Sequence, residues 1–233
     1  MRSIYKTVLT TLILLSASAL YAQTSSFDVR FTGGLNLSSL SFENNDIPGN
    51  RIKPGMNVGF LGTYTTQGGV FLQSGLIFTT KGAKIKGEIP LGFSSGILYP
   101  GEKPVLTSRL MYLQVPIQVG GNISLSPDTK LFAKAGPYLA YGVGGKTRLE
   151  GHIIYGDAID TQPLEEPTFG DRGLRKFDYG LGAGLGIDLG EVILEVNYEL
   201  GLKDIAPVET RYIPFYDSSY KNRNLFLSIS FKL

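Results

Sequence analysis

The sequence predicts an all-β chain, folded as an eight-stranded antiparallel up-and-down transmembrane β-barrel. Three observations predict it. Apolar residues alternate with polar or glycine residues over eight stretches of about 10–13 residues, beyond the five or six of an ordinary strand and close to the 9–11 that cross a bilayer at a tilt. The connections between these stretches alternate long and short. The face opposite the apolar one is rich in glycine and poor in charge.

Composition narrows the field further. Of 233 residues only 18% are charged, where about 25% is usual, and 30 are glycine. There is no cysteine, which excludes disulfides, thiolate metal sites, cysteine nucleophiles and an acylated cysteine anchor. His152 is the single histidine, so no histidine-pair metal site is possible. A hydrophobic share of 42% is too high for a disordered chain.

The first element is an address. Arg2 and Lys6 precede the apolar run Val8–Leu20, and Leu20-Tyr21-Ala22 offers a cleavage point before Gln23, with Ala17-Ser18-Ala19 as an alternative. The run is too short to span a bilayer as a helix and reads as a secretory signal peptide over residues 1–22, with the barrel domain over 23–233. Removing Arg2 and Lys6 leaves 20 basic residues against 20 acidic ones. A neutral mature chain does not suit nucleic-acid binding, which wants a basic surface.

The strands follow in order over about 28–38, 54–65, 70–80, 109–120, 130–142, 177–188, 192–202 and 225–233, each with an apolar and a polar face. In the first, Val29, Phe31, Leu35 and Leu37 oppose Arg30, Thr32, Gly34 and Asn36. In the sixth, Phe177, Tyr179, Leu181, Ala183, Leu185 and Ile187 oppose Asp178, Gly180, Gly182, Gly184, Gly186 and Asp188. Pro116 and Pro137 fall inside strands, where each removes a ladder donor, and both are expected to mark bulges or bends.

Thr66–Gly69, Asn122–Thr129 and Leu189–Glu191 are short connections; 39–53, 81–108, 143–176 and 204–221 are long. In an up-and-down barrel this puts every long loop on one side and both termini on the other. That is the outer-membrane arrangement of short periplasmic turns and long extracellular loops.

A soluble lipocalin-like barrel shares the alternation but turns its apolar face inward. Gly180, Gly182, Gly184 and Gly186 decide against it. On a solvated exterior they would weaken a strand for no return, whereas the lumen of an eight-stranded barrel is barely wide enough for side chains. Charges of both signs share that face, and Arg30, Lys134, Asp178, Glu195 and Glu199, with Lys232, are expected to form a paired polar cluster inside the lumen. Tyr64, Phe78, Tyr141, Phe177, Tyr179 and Phe231 suit interfacial aromatic girdles on the other face.

The segments DVRFTGGLNLS, MYLQVPIQVG, KLFAKAGPYLAYGVGG, FDYGLGAGLGIDLG, EVNYELGL and NRNLFLSISFKL, after a leader ending Ala22-Gln23, resemble PorT-type outer-membrane β-barrel domains in order and spacing. The resemblance covers essentially the whole mature chain. It implies a barrel without a separate periplasmic domain, placed in the bacterial outer membrane and surrounded by its lipid. Such barrels usually end on an aromatic; here Leu233 is last, and Phe231 is the residue left to serve the barrel-assembly machinery.

Chemistry is sparse. His152 in the third long loop could serve a lipid hydrolase with a serine and an acid, yet no serine sits in a GxSxG context. The loop acids Asp157, Asp160, Glu165, Glu166 and Asp171 lack the spacing of a calcium loop. No cofactor is expected. The fourth loop carries Tyr212, Ile213, Phe215, Tyr216 and Tyr220, a candidate contact patch for an envelope protein or, alternatively, packing over the barrel mouth. The reading is a structural or interaction protein rather than an enzyme, with an accessory of a secretion or uptake assembly as alternative and a lipid-modifying enzyme as a remote one.

Overall fold

The computed structural model describes residues 25–42, 50–86, 97–98, 104–151, 153–155, 158–160, 162–170, 173–206 and 219–233. The leader lies outside them. Eight strands form the barrel: β1 (Ser26–Phe42), β2 (Lys53–Thr65), β3 (Val70–Lys86), β4 (Val105–Ser124), β5 (Lys130–Gly144), β6 (Phe177–Asp188), β7 (Val192–Gly201) and β8 (Tyr220–Lys232). Each pairs antiparallel with the next. β8 returns to β1, in register from Arg30 opposite Lys232 to Phe42 opposite Tyr220, and the ring closes. Closure is what lipid demands, because an unpaired backbone edge inside hydrocarbon has no water to bond.

The apolar face looks outward. Along β6, Asp178, Gly180, Gly182 and Gly184 are buried, while Leu181, Ala183 and Leu185 are exposed, Leu185 by 68%. Leu35, Leu76, Val196 and Leu227 are similarly bare on other strands. The girdle aromatics also face out: Phe177 stands opposite Tyr141 across the β5–β6 ladder, and Tyr64 and Phe231 lie near the turn side.

Two turns rest on left-handed glycines. Gly69 (φ 78°) and Gly190 (φ 88°) adopt a conformation that a Cβ disfavours. The Gly190 amide also donates to Asp188 Oδ1 at 3.0 Å, and Leu189 N donates to Val192 O at 2.8 Å, which fixes the β6–β7 hairpin.

Three sequence expectations change. β1, β3 and β4 run well past their expected loop-side ends, so residues 39–42, 81–86 and 105–108 are ladder rather than loop. The third long connection holds further strands: Lys146–Glu150 pairs with Leu164–Pro167 and with the start of β4, and Ile153–Tyr155 pairs with Ala158–Asp160 and with Ile97–Leu98. The prolines mark no bulge. The β3–β4 ladder breaks off after Ser74 opposite Ile117 and resumes at Ile77 opposite Gln114 in the same register, and β4–β5 resumes likewise past Pro137. Skipping two rungs accommodates a missing donor without inserting a residue. The register shift in β4 instead lies at Met111/Tyr112.

Candidate functional site

The lumen is where the inward side chains of all eight strands meet. Glycines make it fit. Gly180 stands opposite Tyr138, Gly186 opposite Phe132 and Gly120 opposite Phe71. A Cβ at any of those three positions would come well inside van der Waals contact with the facing ring, closer than carbon tolerates. Each ring therefore lies over a glycine of the next strand, an arrangement that covers the bare backbone and narrows the bore.

The inward charges gather in two groups. Nearer the turns, Glu195 is shared by two cations: Arg30 Nη2 lies 3.3 Å away and Lys134 Nζ 2.6 Å away. Lys134 also donates to Gln73 Oε1 at 2.6 Å. Nearer the loops the ratio inverts. Lys81 Nζ sits 3.2 Å from Glu199 and 3.6 Å from Asp178, and Lys81 and Asp178 are both 0% exposed. Gln114 donates to Glu199 at 2.5 Å, while Tyr138 and Asn222 donate to Asp178 at 3.2 and 2.9 Å. Lys81 Nζ also lies 4.2 Å from the Tyr138 ring centroid, a cation–π distance. At the turn-side rim Lys232 reaches Asp188 at 2.8 Å.

All five candidate lumen residues, and Lys232, point inward in these two groups and at the rim. Lys81 lies one residue beyond the expected end of the third strand, so the alternation gives it no inward place. Gln73, Gln114, Tyr138 and Asn222 were missed because neutral polar side chains on an alternating strand carry no signal of their own.

Above the loop-side group lies an apolar seal. Leu40, Ala83, Leu110, Tyr112, Tyr138, Ala140, Phe169, Ile205 and Tyr220 are buried against one another. Phe169 and Ile205 come from long connections, not strands. Phe169 stacks edge-on against Tyr112 with centroids 5.4 Å apart, and a Cβ on Gly142 would strike its ring. Thr168 Oγ1 anchors this segment by donating to Arg109 O at 2.8 Å.

Tyr220 thus packs in the barrel mouth rather than standing exposed. Its partners in the candidate contact patch, Tyr212, Phe215 and Tyr216, lie outside the described residues, as do His152, Asp157 and Asp171. Among the described residues no three acidic or histidine side chains cluster as metal ligands. Among the described residues the lumen includes a cavity of about 80 Å³ at the turn side and one of about 20 Å³ between the charged groups.

A family model described as "Outer membrane protein beta-barrel domain" matches residues 21–206. Three solved structures are similar to the chain. Ail, the attachment invasion locus protein of Yersinia pestis, was solved with the heparin analogue sucrose octasulfate; it is 11% identical, covers 89% of this chain and 99% of its own, and superposes with a TM-score of 0.39. Neisserial surface protein A is 11% identical over 91% of this chain and 100% of its own, at a TM-score of 0.41. OprG from Pseudomonas aeruginosa is 10% identical over 90% of this chain and 97% of its own, at 0.43. No curated protein matches the chain.

Proposed function

This chain belongs to the outer membrane protein β-barrel domain family, and from that premise we propose that it is a closed, non-conducting integral barrel with a structural or interaction role. The observation that carries this reading is the doubly blocked lumen. Lys81 with its two carboxylates occupies the bore, and Phe169 and Ile205 cover it. An ion moving through would have to break a fully buried ion pair and then pass a buried, mainly apolar layer, each step costing several kcal/mol. With the short turns in the periplasm, the long connections face outward from the cell, where an envelope partner would meet them.

Planar-bilayer recording tests the closed state. The expected trace shows no steady current; nanosiemens steps that persist in the purified, folded protein would overturn it. Phe169→Ala together with Lys81→Met should admit flickering conductance, because both barriers are then weakened.

A second reading is favoured by the strand extensions. β3 and β4 continue past the apolar band, and β4 there pairs with Lys146–Glu150, which pairs in turn with Leu164–Pro167, an outward platform larger than closure requires. Such a platform suits an accessory of a secretion or uptake assembly that docks through its outward connections. Cross-linking from residues 204–221 in intact cells tests it: a reproducible envelope partner supports docking, and lipid alone argues for a solitary barrel. His152→Ala addresses the enzyme reading, since loss of a lipid-modifying activity on that change would replace both proposals.

A further inference from the structure

We infer that the outer wall of the barrel, at its loop-side rim, binds a lipid head group that carries phosphate. Five charged residues face outward on the eight barrel strands, and all five are basic: Lys84 and Lys86 on β3, Arg109 on β4, Lys221 and Arg223 on β8. All five lie at the loop-side ends. The outward positions at the opposite end are uncharged, among them Phe27, Tyr64, Ile123 and Phe231. The charges of that end line the lumen, as Asp28, Arg30, Lys130, Asp188 and Lys232 do, or sit in the turns, as Asp128 and Glu191 do. The basic rim thus belongs to one leaflet, the one that the long connections face.

Height matches the phosphate layer. Arg223 stands two residues beyond the outward Leu225, and Arg109 two beyond the outward Met111. Two residues advance about 7 Å along a strand, or about 5 Å in height at a tilt near 40°. Head groups occupy about 5–7 Å beyond the hydrocarbon on each side. Lys221 lies one outward position higher on β8, and Lys84, opposite Thr107, one higher than Arg109. Their long stems can bend back toward the membrane. Hydroxyls accompany the charges: Ser39 stands opposite Arg223 and Ser41 opposite Lys221. Sign decides the rest. A rim that served solubility alone would mix both charges. The added strands, which pair with β4 beyond Arg109, do mix them: Lys146 holds Glu165 at 2.9 Å and Arg148 holds Glu150 at 3.1 Å. By contrast Lys84, Lys86, Arg109 and Arg223 form no ion pair among the described residues. Asp204, close to the start of β8, has its Oδ1 taken by the Tyr220 and Ala206 amides. A row of one sign that continues the lipid-facing wall is complementary to an anionic head group.

The test uses the folded mature chain in phosphatidylcholine nanodiscs doped with phosphatidic acid, whose phosphate monoester is the probe, with amide chemical shifts as readout. Shifts at Arg109, Arg223 and Ser39 should saturate with the mole fraction of phosphatidic acid, while Phe27 and Ile123 at the turn-side rim stay still. Arg109→Gln and Arg223→Gln should each weaken binding about fivefold, and together about 25-fold. Lys84→Gln with Lys86→Gln should weaken it similarly and serves if an arginine variant fails to fold. Lys130→Gln, which removes the same charge from the turn-side lumen, should leave binding unchanged. Inorganic phosphate at equal concentration should not displace the lipid, which separates a head group from a free anion. The inference is overturned if diacylglycerol, which lacks the phosphate, shifts the same amides as strongly, if both rims respond alike, if free phosphate displaces the lipid, or if the rim variants bind unchanged. Displacement by poly-glutamate at a lower concentration than the lipid would also overturn it, and would assign the rim to an acidic protein.

Discussion

Along β3, Leu72, Leu76 and Phe78 point out of the barrel while Gln73, Thr79 and Lys81 point in; a few residues further on, Lys84 and Lys86 point out while Ala83 and Ile85 point in. β1 and β8 change in the same way. Leu35 and Leu37 are outward with Asn36 inward, then Ser39 and Ser41 are outward with Leu40 inward; Leu225 and Leu227 are outward, but so are Lys221 and Arg223, with Tyr220 inward. One continuous ladder thus carries two opposite codes. Where hydrocarbon bathes the outside, polarity is hidden within; where water bathes it, the barrel becomes an ordinary protein with an apolar centre. The change falls at the loop-side boundary of the membrane, and the apolar seal of the lumen is the core of that water-bathed collar.

The largest expected effect comes from the polar interior of the membrane zone. Lys81→Met leaves Asp178 and Glu199 buried, close and uncompensated, and should destabilise the barrel by about 3–5 kcal/mol in urea unfolding from micelles. Adding Asp178→Asn and Glu199→Gln should recover most of that loss. A small effect of the single change would mean that water, not Lys81, balances the two acids.

The outside of the two zones gives the next contrast. Val196→Arg puts a charge on the lipid face and should cost about 2–4 kcal/mol near the midplane. Lys84→Leu, outward on the collar, should stay within about 0.5 kcal/mol. Folding yields into vesicles would measure both, and equal losses would abolish the distinction between lipid-bathed and water-bathed wall. A smaller effect is expected inside the bore. Gly180→Ala presses a methyl against the Tyr138 ring and the neighbouring backbone, at a cost of about 1–3 kcal/mol.

The two codes also explain what could be read from sequence. The membrane zone was legible because apolar-out alternation with glycine opposite is a long, regular signal, and it placed Arg30, Lys134, Asp178, Glu195 and Glu199 on the inward face. The collar was not, because beyond Lys81 the two faces exchange polarity while the alternation continues, and that inward lysine at the edge of the membrane zone looks like the first residue of a polar loop. The seal was illegible for another reason. Phe169 and Ile205 sit in long connections without periodicity, and only their contacts with Tyr112, Gly142 and Leu110 give them a place. The pairing of Glu195 with two cations, and of Lys81 with two anions, depends on cross-lumen distances that no single strand encodes.

The smallest effect belongs to the collar's own ion pair and sharpens the contrast with Lys81. Lys146 donates to Glu165 at 2.9 Å, and both side chains are solvent-exposed. The hydrogen bond from Lys146, then its charge, hold the Glu165 carboxyl below its ordinary value. A depressed carboxyl contributes above its unfolded pKa, about 4.3, and loses that contribution as pH falls through the lower folded value. Water screens the pair, so global stability should not register the titration. The local ladder should: amide exchange at Leu149 and Leu164, which face each other across the collar hairpin, is expected to speed up below the ordinary glutamate range relative to the chemical rate. In Glu165→Gln that acid-side rise should vanish while the barrel strands stay protected. A rise of equal size in β6 and β7 would mean that the collar and the membrane zone open as one unit, and that the boundary between the two codes is not a boundary in stability.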